Sequence, residues 1–356
     1  MVRSLVACVL LFVSSSSTAR GGQADGKFDL YFIDVEGGAS TLLVTPGGES
    51  VLIDSGYPGY QNRDLDRILH VVREVAKLDH IDHAVVSHWH LDHYGNHAAL
   101  AANLKIRNFW DRGIPDDLQE DKQFLERITA YKAATQNGSK RLKIGDEFAF
   151  PTPGTALTVK VVTGSRDVIA NTGEPNPFAS DNEPQPEDKT DNAASLSTLW
   201  SFGDFKFLTC GDLTWNVEAQ LVTPNNPIGK VDLFMVTHHG LDVSNNPTLV
   251  HAVDPIVTVM CNGPTKGGGA QTLQTLAGVK SLKASYQLHR NVNLPPEAQT
   301  RSSRIANTEP TVNCAGRWIK ASVAADGQSY TVQIGDDGAK ESFETRGRSN
   351  GGTTGR

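Results

Sequence analysis

The stretch Ser87-His88-Trp89-His90-Leu91-Asp92-His93 constrains this chain more than any other. Three histidines and an aspartate fall within six positions, directly behind the apolar run Ala84-Val85-Val86, which reads as the end of a buried strand. Neutral imidazole and carboxylate are the ligands that Zn, Mn and Fe accept. In an extended segment alternate side chains point the same way, so His88 and His90 can hold one metal. Asp92 and His93 fall where the chain turns into a helix and can face a second ion. The competing reading, a solvated loop that happens to be rich in histidine, rarely places four potential ligands so tightly behind a strand.

With 356 residues and 38% apolar content, the chain is long enough to bury a large core. Its start reads differently. Arg3 precedes an apolar run from Leu5 to Val13 that is too short to span a bilayer, followed by small and polar residues to Ala24. Residues 1–24 read as a signal peptide, which implies a secreted or periplasmic protein. Their removal takes away Arg3 and Arg20 and no acid, moving the formal charge from −7 to −9 (−7 − 2). An acidic protein offers no wide electrostatic surface for nucleic acid. The expected partner is therefore a small molecule or a short phosphoester, with no membrane span in the mature chain. Oligomeric state is not legible. Cys210, Cys261 and Cys314 remain, an odd number that allows either one disulfide and a free thiol or three thiols.

Residues 28–54 read as strands, with Asp34 and Asp54 at two strand ends, where they read as turn residues. Apolar residues at helical spacing predict a helix over 63–77, leading into the strand before His88. Strands are expected at 106–110 and 157–162, with a helix over 116–136 between them. Residues 164–190 carry no periodicity, and a loop that long is expected beside the active-site mouth. Strands resume at 195–200 and 205–209, the second ending at Cys210-Gly211-Asp212, where glycine lets the backbone approach a ligand closely. Another apolar strand, 231–236, ends in Thr237-His238-His239-Gly240. A short helix (247–252), strands at 256–260 and near 285–288, and a closing hairpin within 314–332 follow. One domain is expected over 25–334, with 335–356 as a disordered polar tail.

The pattern H-x-H-x-D-H at His88–His93 resembles the signature of the metallo-β-lactamase superfamily. Phe32-Ile33-Asp34-Val35-Glu36-Gly37-Gly38 and Leu52-Ile53-Asp54-Ser55-Gly56 resemble its opening strands, a likeness that implies Asp34 and Asp54 as supports for the metal loops. That resemblance implies an α/β fold, an αββα sandwich with every metal ligand on loops at one edge. Carried over position by position, it implies His88 and His90 for a first metal, Asp92 and His93 for a second, Asp212 as the bridge, and His239 completing the second site. Two Zn ions are implied, with one ion, or Mn or Fe, as alternatives. His238 is left to contact substrate oxygen or donate a proton. Many members carry a further histidine before the bridging aspartate, yet no histidine occurs between His97 and His238. Asp191-Asn192-Ala193-Ala194-Ser195-Leu196 stands there instead, so Asn192, Asp191 or water could fill the first site. Its N-x-x-S-L pattern, with His238-His239-Gly240, is similar to the soluble hydrolase domain of the competence DNA-uptake proteins (ComEC-like) across residues 28–290.

The expected function is an exported metal-dependent hydrolase using a metal-bound hydroxide, with Asp92 and His238 as catalytic groups, acting on a phosphoester or phosphodiester. Lactone or lactam hydrolysis, or a metal-binding module without activity, are the alternatives. The glycine-rich stretch Gly263–Gly269 lacks phosphate-loop spacing and is expected only to help shape the pocket.

Overall fold

In the computed structural model, which describes residues 24–309 and 311–347, two large mixed sheets lie face to face. The first runs, edge to edge, Glu341–Glu344, Ser329–Ile334, Ile319–Val323, Phe28–Phe32, Thr41–Val44, Ser50–Ile53, His80–Val85, Lys105–Asp111 and Lys140–Arg141. The second runs Ile305–Asn307, Ala284–His289, Val257–Met260, Leu233–Met235, Phe205–Thr209, Ser197–Phe202, Leu157–Gly164 and Glu147–Phe150. Alternation decides which residues meet between them. Phe28, Leu30 and Phe32 turn inward onto Trp200, Phe202, Phe205 and Phe207, all buried. Phe28 stacks on Trp200 with ring centroids 5.9 Å apart, and Phe32 meets Phe207 edge-on at 6.0 Å.

Helices cover both outer faces. Leu65, Ile68, Leu69 and Val72 pack with Tyr31, Ile33, Leu42 and Leu52 over the first sheet. Leu221, Val222, Leu249, Val253 and Leu276 pack with Leu208, Phe234 and Val236 over the second. The expected αββα order is therefore present. The helix expected over 63–77 runs from Arg63 to His70 and widens into a π turn over Val71–Val75. The helix expected over 116–136 spans only Phe124–Ala134. Residues 116–123 form turns, with Asp121 accepting from the Gln123 amide at 3.0 Å.

Where strands run parallel, their carboxyl ends gather on one edge. Ser50–Ile53, His80–Val85 and Lys105–Asp111 are parallel in one sheet, and Phe205–Thr209, Leu233–Met235, Val257–Met260 and Ala284–His289 in the other. The loops leaving those ends carry Asp54, His88–His93, Asp212, His238-His239 and Lys266. Crevices outside the carboxyl ends of parallel strands are where α/β folds bind ligands.

Ordered structure does not stop at residue 334. Glu341–Glu344 pairs antiparallel with the strand Ser329–Ile334, and Phe343 is buried and stacked on Tyr330 at 5.4 Å. Overall polarity hid one apolar residue that points into the core. Residues 1–23, and with them the expected signal peptide, lie outside the described residues. Among the described residues no helix is long and apolar enough to cross a membrane, and Cys210, Cys261 and Cys314 are free thiols, the first two buried. Phe343→Ala is expected to lower unfolding free energy by roughly 3 kcal/mol in urea denaturation, because it removes a buried aromatic side chain. An effect under about 0.5 kcal/mol would show that the last strand does not contribute to the core.

Candidate metal centre

Four ligand atoms from three loops meet at the carboxyl edge. Asp92, His93, Asp212 and His239 each offer one atom within 4.8 Å of the others, and all four residues are buried. Asp212 Oδ2 lies 3.1 Å from His239 Nε2, 3.2 Å from His93 Nε2 and 3.4 Å from His238 Nε2. His88 Nε2 stands 4.0 Å from the same oxygen. Asp92 Oδ2 is 3.5 Å from His93 Nε2 and 3.4 Å from His239 Nε2.

The outer nitrogens explain why these rings face inward. His93 Nδ1 donates to Asp54 Oδ2 at 2.8 Å, and His239 Nδ1 donates to the Cys261 carbonyl oxygen at 3.1 Å. In the neutral ring each Nε2 is then the unprotonated nitrogen aimed at the cluster, the tautomer that metal-binding histidines adopt when a carboxylate or carbonyl holds the other nitrogen. Asp54 has a positive φ of 62° at its strand end, which turns its carboxylate under the metal loop. It accepts from the Ser87 amide at 2.8 Å and the Ser87 hydroxyl at 2.7 Å. Of the two readings open for Asp54, support of the loop is the one observed. Asp34 serves another network: Arg67 donates to it at 2.7 Å, and His289, the last residue of its strand, contacts it at 2.6 Å.

Electrostatics agree with a site built for cations. Burial alone would push the Asp212 carboxyl up, but His239, His93 and His238 hold it well below the ordinary carboxylate range. Asp92 is likewise driven up by burial and more strongly down by His93, His239 and Lys266. Burial lowers His93, yet Asp212, Asp92 and Asp54 outweigh it and hold the ring well above the ordinary histidine range. A proton there answers the surrounding carboxylates; a metal ion would do so with more charge. His88 Nε2, wholly buried and without a hydrogen-bond partner, is a further sign that these residues fit a metal.

Not every expected ligand joins the tetrad. His90 packs its ring edge-on against His88, centroids 4.8 Å apart, but its Nε2 lies 3.2 Å from Glu120 Oε1. Asp191 is occupied by the Trp89 amide at 2.6 Å and by the Arg112 guanidinium. Asn192 Nδ2 reaches His238 Nε2 at 3.4 Å. His97 is fully buried, so it does not face solvent; its Nδ1 lies 2.7 Å from Ser55 Oγ. The sequence reading missed Ser87, Ser244 and Lys266. Serine carries no ligand signature, and Lys266 was hidden in a glycine-rich stretch. Its ammonium pairs with Asp92 Oδ2 and lies 5.6 Å from the Tyr57 ring centroid. Its loop is fixed by Gly268 N donating to the His239 carbonyl at 3.0 Å. A Cβ on Gly267 would come within 2.1 Å of that same oxygen.

A cleft of about 670 Å³ opens beside the centre. Its wall includes His238, Asn192, Trp215 and Asp242, with Arg166 and Gln185–Asp188 from the long loop, which therefore borders the mouth as expected. Arg166 donates to the carbonyls of Asp188, Lys189 and Thr190, which fixes that loop.

Glu218, fully buried behind the histidine loop, accepts from the Asn246 amide at 2.8 Å, and burial pushes its carboxyl up to about 7. Folding thus favours its protonated form, a contribution present below its ordinary value near 4.5 and lost as pH rises toward 7. In chelator, Glu218→Gln is expected to gain roughly 3 kcal/mol of stability over the wild type between pH 4.5 and 7.5. A pH-independent difference between the two would contradict the buried neutral carboxyl.

Residues 34–173 match the family model described as metallo-beta-lactamase superfamily. No curated protein matches the sequence. Similar solved structures include a mutant of the CmlA beta-hydroxylase, at 17% identity and TM-score 0.41, covering 74% of this chain and 52% of that one. A putative metal-dependent hydrolase from Parabacteroides distasonis has 13% identity and TM-score 0.40, covering 74% and 94%. Zn(2+)-bound PqqB from Methylobacterium extorquens has 13% identity and TM-score 0.36, covering 72% and 89%. The chain spans about half the length of the CmlA protein. The matched residues 34–173 carry the H-x-H-x-D-H loop, so the likeness of this chain to the metallo-beta-lactamase superfamily rests on the segment that supplies Asp92 and His93.

Proposed function

We propose that the protein is a metal-dependent hydrolase of anionic esters, with a phosphoester or phosphodiester as substrate. The observation that carries this reading is the convergence of imidazole lone pairs and two buried carboxylates on one point at the end of an open cleft. Asp92, His93, Asp212 and His239 would hold one ion, and His88 lies against the same Asp212 oxygen. This nitrogen and carboxylate donor set suits Zn, and also Mn or Fe. Metal ions so placed supply a water activated near neutral pH and polarise the oxygen of the bond to be broken.

The residues themselves do the rest. Asp92, whose Oδ2 faces both the tetrad and Lys266, is placed to accept a proton from the attacking water. Lys266 is a positive charge fixed at the cluster by a rigid loop, and it supports a substrate with a negative oxygen there. Trp215 and the ordered loop at 185–190 wall the cleft and restrict water. The reading includes export, on the strength of the charged, apolar and small-residue order of residues 1–24.

The test is hydrolysis of an activated phosphodiester by chelated protein reloaded with Zn or Mn. Turnover is expected only after reloading, and Asp92→Ala is expected to lower it by about 10²-fold or more. Absence of turnover with either metal, together with hydrolysis of a lactone, would overturn the phosphoester reading in favour of acyl chemistry. Lys266→Met is expected to weaken competitive inhibition by inorganic phosphate about tenfold, the loss of one charge-assisted hydrogen bond. Unchanged inhibition would remove Lys266 from the substrate site.

A further inference from the structure

Four imidazole rings, not two, surround Asp212 Oδ2, and the tetrad accounts for only His93 and His239. The tautomer of His238 is fixed by its neighbour. Ser244 Oγ lies 2.7 Å from the Leu213 carbonyl oxygen, which can only accept, so the hydroxyl hydrogen is directed there. Ser244 Oγ can then only accept from His238 Nδ1, 3.0 Å away. His238 Nε2 is consequently a lone pair, and it faces the carboxylate oxygen of Asp212 at 3.4 Å.

His88 follows the same logic. Ser87 Oγ donates to Asp54 Oδ2 at 2.7 Å and accepts from His88 Nδ1 at 3.1 Å. His88 Nε2 is left wholly buried, without a partner, 4.0 Å from Asp212 Oδ2. Two lone pairs facing one carboxylate oxygen in a buried place call for a cation between them. Asn192 adds a further donor: its Nδ2 lies 3.4 Å from His238 Nε2, while its Oδ1 is buried without a partner. A half-turn of that amide would present oxygen to the same place.

The backbone holds His238 there against its own preference. His238 and His239 have φ of 54° and 56°, left-handed values that side-chain-bearing residues avoid and that cluster at functional sites. His238 N donates to the Gly211 carbonyl at 3.0 Å, and Thr237 N donates to Asn245 Oδ1 at 3.0 Å.

We infer that His238 is a ligand of the first metal ion, with His88 and Asp212, and replaces the histidine missing from the sequence before Asp212. This rests on the metallo-hydrolase reading above and refines it. His238 is then neither the substrate contact nor the proton donor expected from the sequence, and His90, held by Glu120, stays outside the set. Three protein ligands with a free position is the arrangement of catalytic zinc sites.

The test counts metal ions and follows the visible spectrum of Co(II)-loaded protein, independently of activity. Wild type and His90→Ala are expected to retain two ions after desalting, and His238→Ala one. His238→Asp, which restores a donor, is expected to regain the second ion, as a proton donor's replacement would not. Ser244→Ala, which releases the tautomer, is expected to weaken the same ion by 10- to 100-fold; it also serves if His238→Ala fails to fold. Retention of two ions at wild-type affinity by both His238→Ala and Ser244→Ala would overturn the inference. If His239→Ala loses an ion in that case, the hydrolase reading survives its loss. A wild type that binds no metal would overturn both.

Discussion

One carboxylate oxygen organises the functional edge of this protein. Asp212 Oδ2 sits within 4.0 Å of four imidazole Nε2 atoms, from His88, His93, His238 and His239. Such a gathering of acceptors is unfavourable in a buried place unless positive charge enters it. The surrounding structure prevents the rings from turning away. Asp54, the Cys261 carbonyl, Ser87 and Ser244 each hold an outer nitrogen; the first three follow strand ends, and Ser244 is tied to the Leu213 carbonyl.

The sandwich provides that rigidity. Asp54, the histidine loop and Asp212 leave strands whose inner faces share one aromatic and aliphatic core, while the helices seal the outer faces. The two sheets contribute the clustered side chains from opposite sides: Asp92 and His93 from the first, Asp212, His238 and His239 from the second. The centre therefore depends on the packing between sheets as much as on its own hydrogen bonds. Positive φ at Asp54, His238 and His239 shows where local backbone preference yields to that assembly.

Much of this was legible in the sequence because it rests on short-range patterns. The H-x-H-x-D-H spacing, the glycine before Asp212 and the apolar runs ending in polar groups mark ligand loops without any structure. Long-range contacts were not legible. Nothing local tells that Ser87 and Ser244 set histidine tautomers, or that Lys266 returns across the fold to Asp92, 174 residues away in sequence. His90 obeys the expected alternation, yet Glu120, on a distant turn, holds its Nε2. The final strand escaped notice because Phe343 is one apolar residue in a polar segment, and pairing with Ser329–Ile334 gives it a buried face.

The most direct test of the central claim is the location of metal ions in crystals of the protein grown with Zn, by anomalous scattering at the metal edge. The account predicts two peaks flanking Asp212 Oδ2, one within ligand distance of Asp92, His93 and His239, the other of His88 and His238. A single peak away from Asp212, or none in protein shown to be folded, would contradict it.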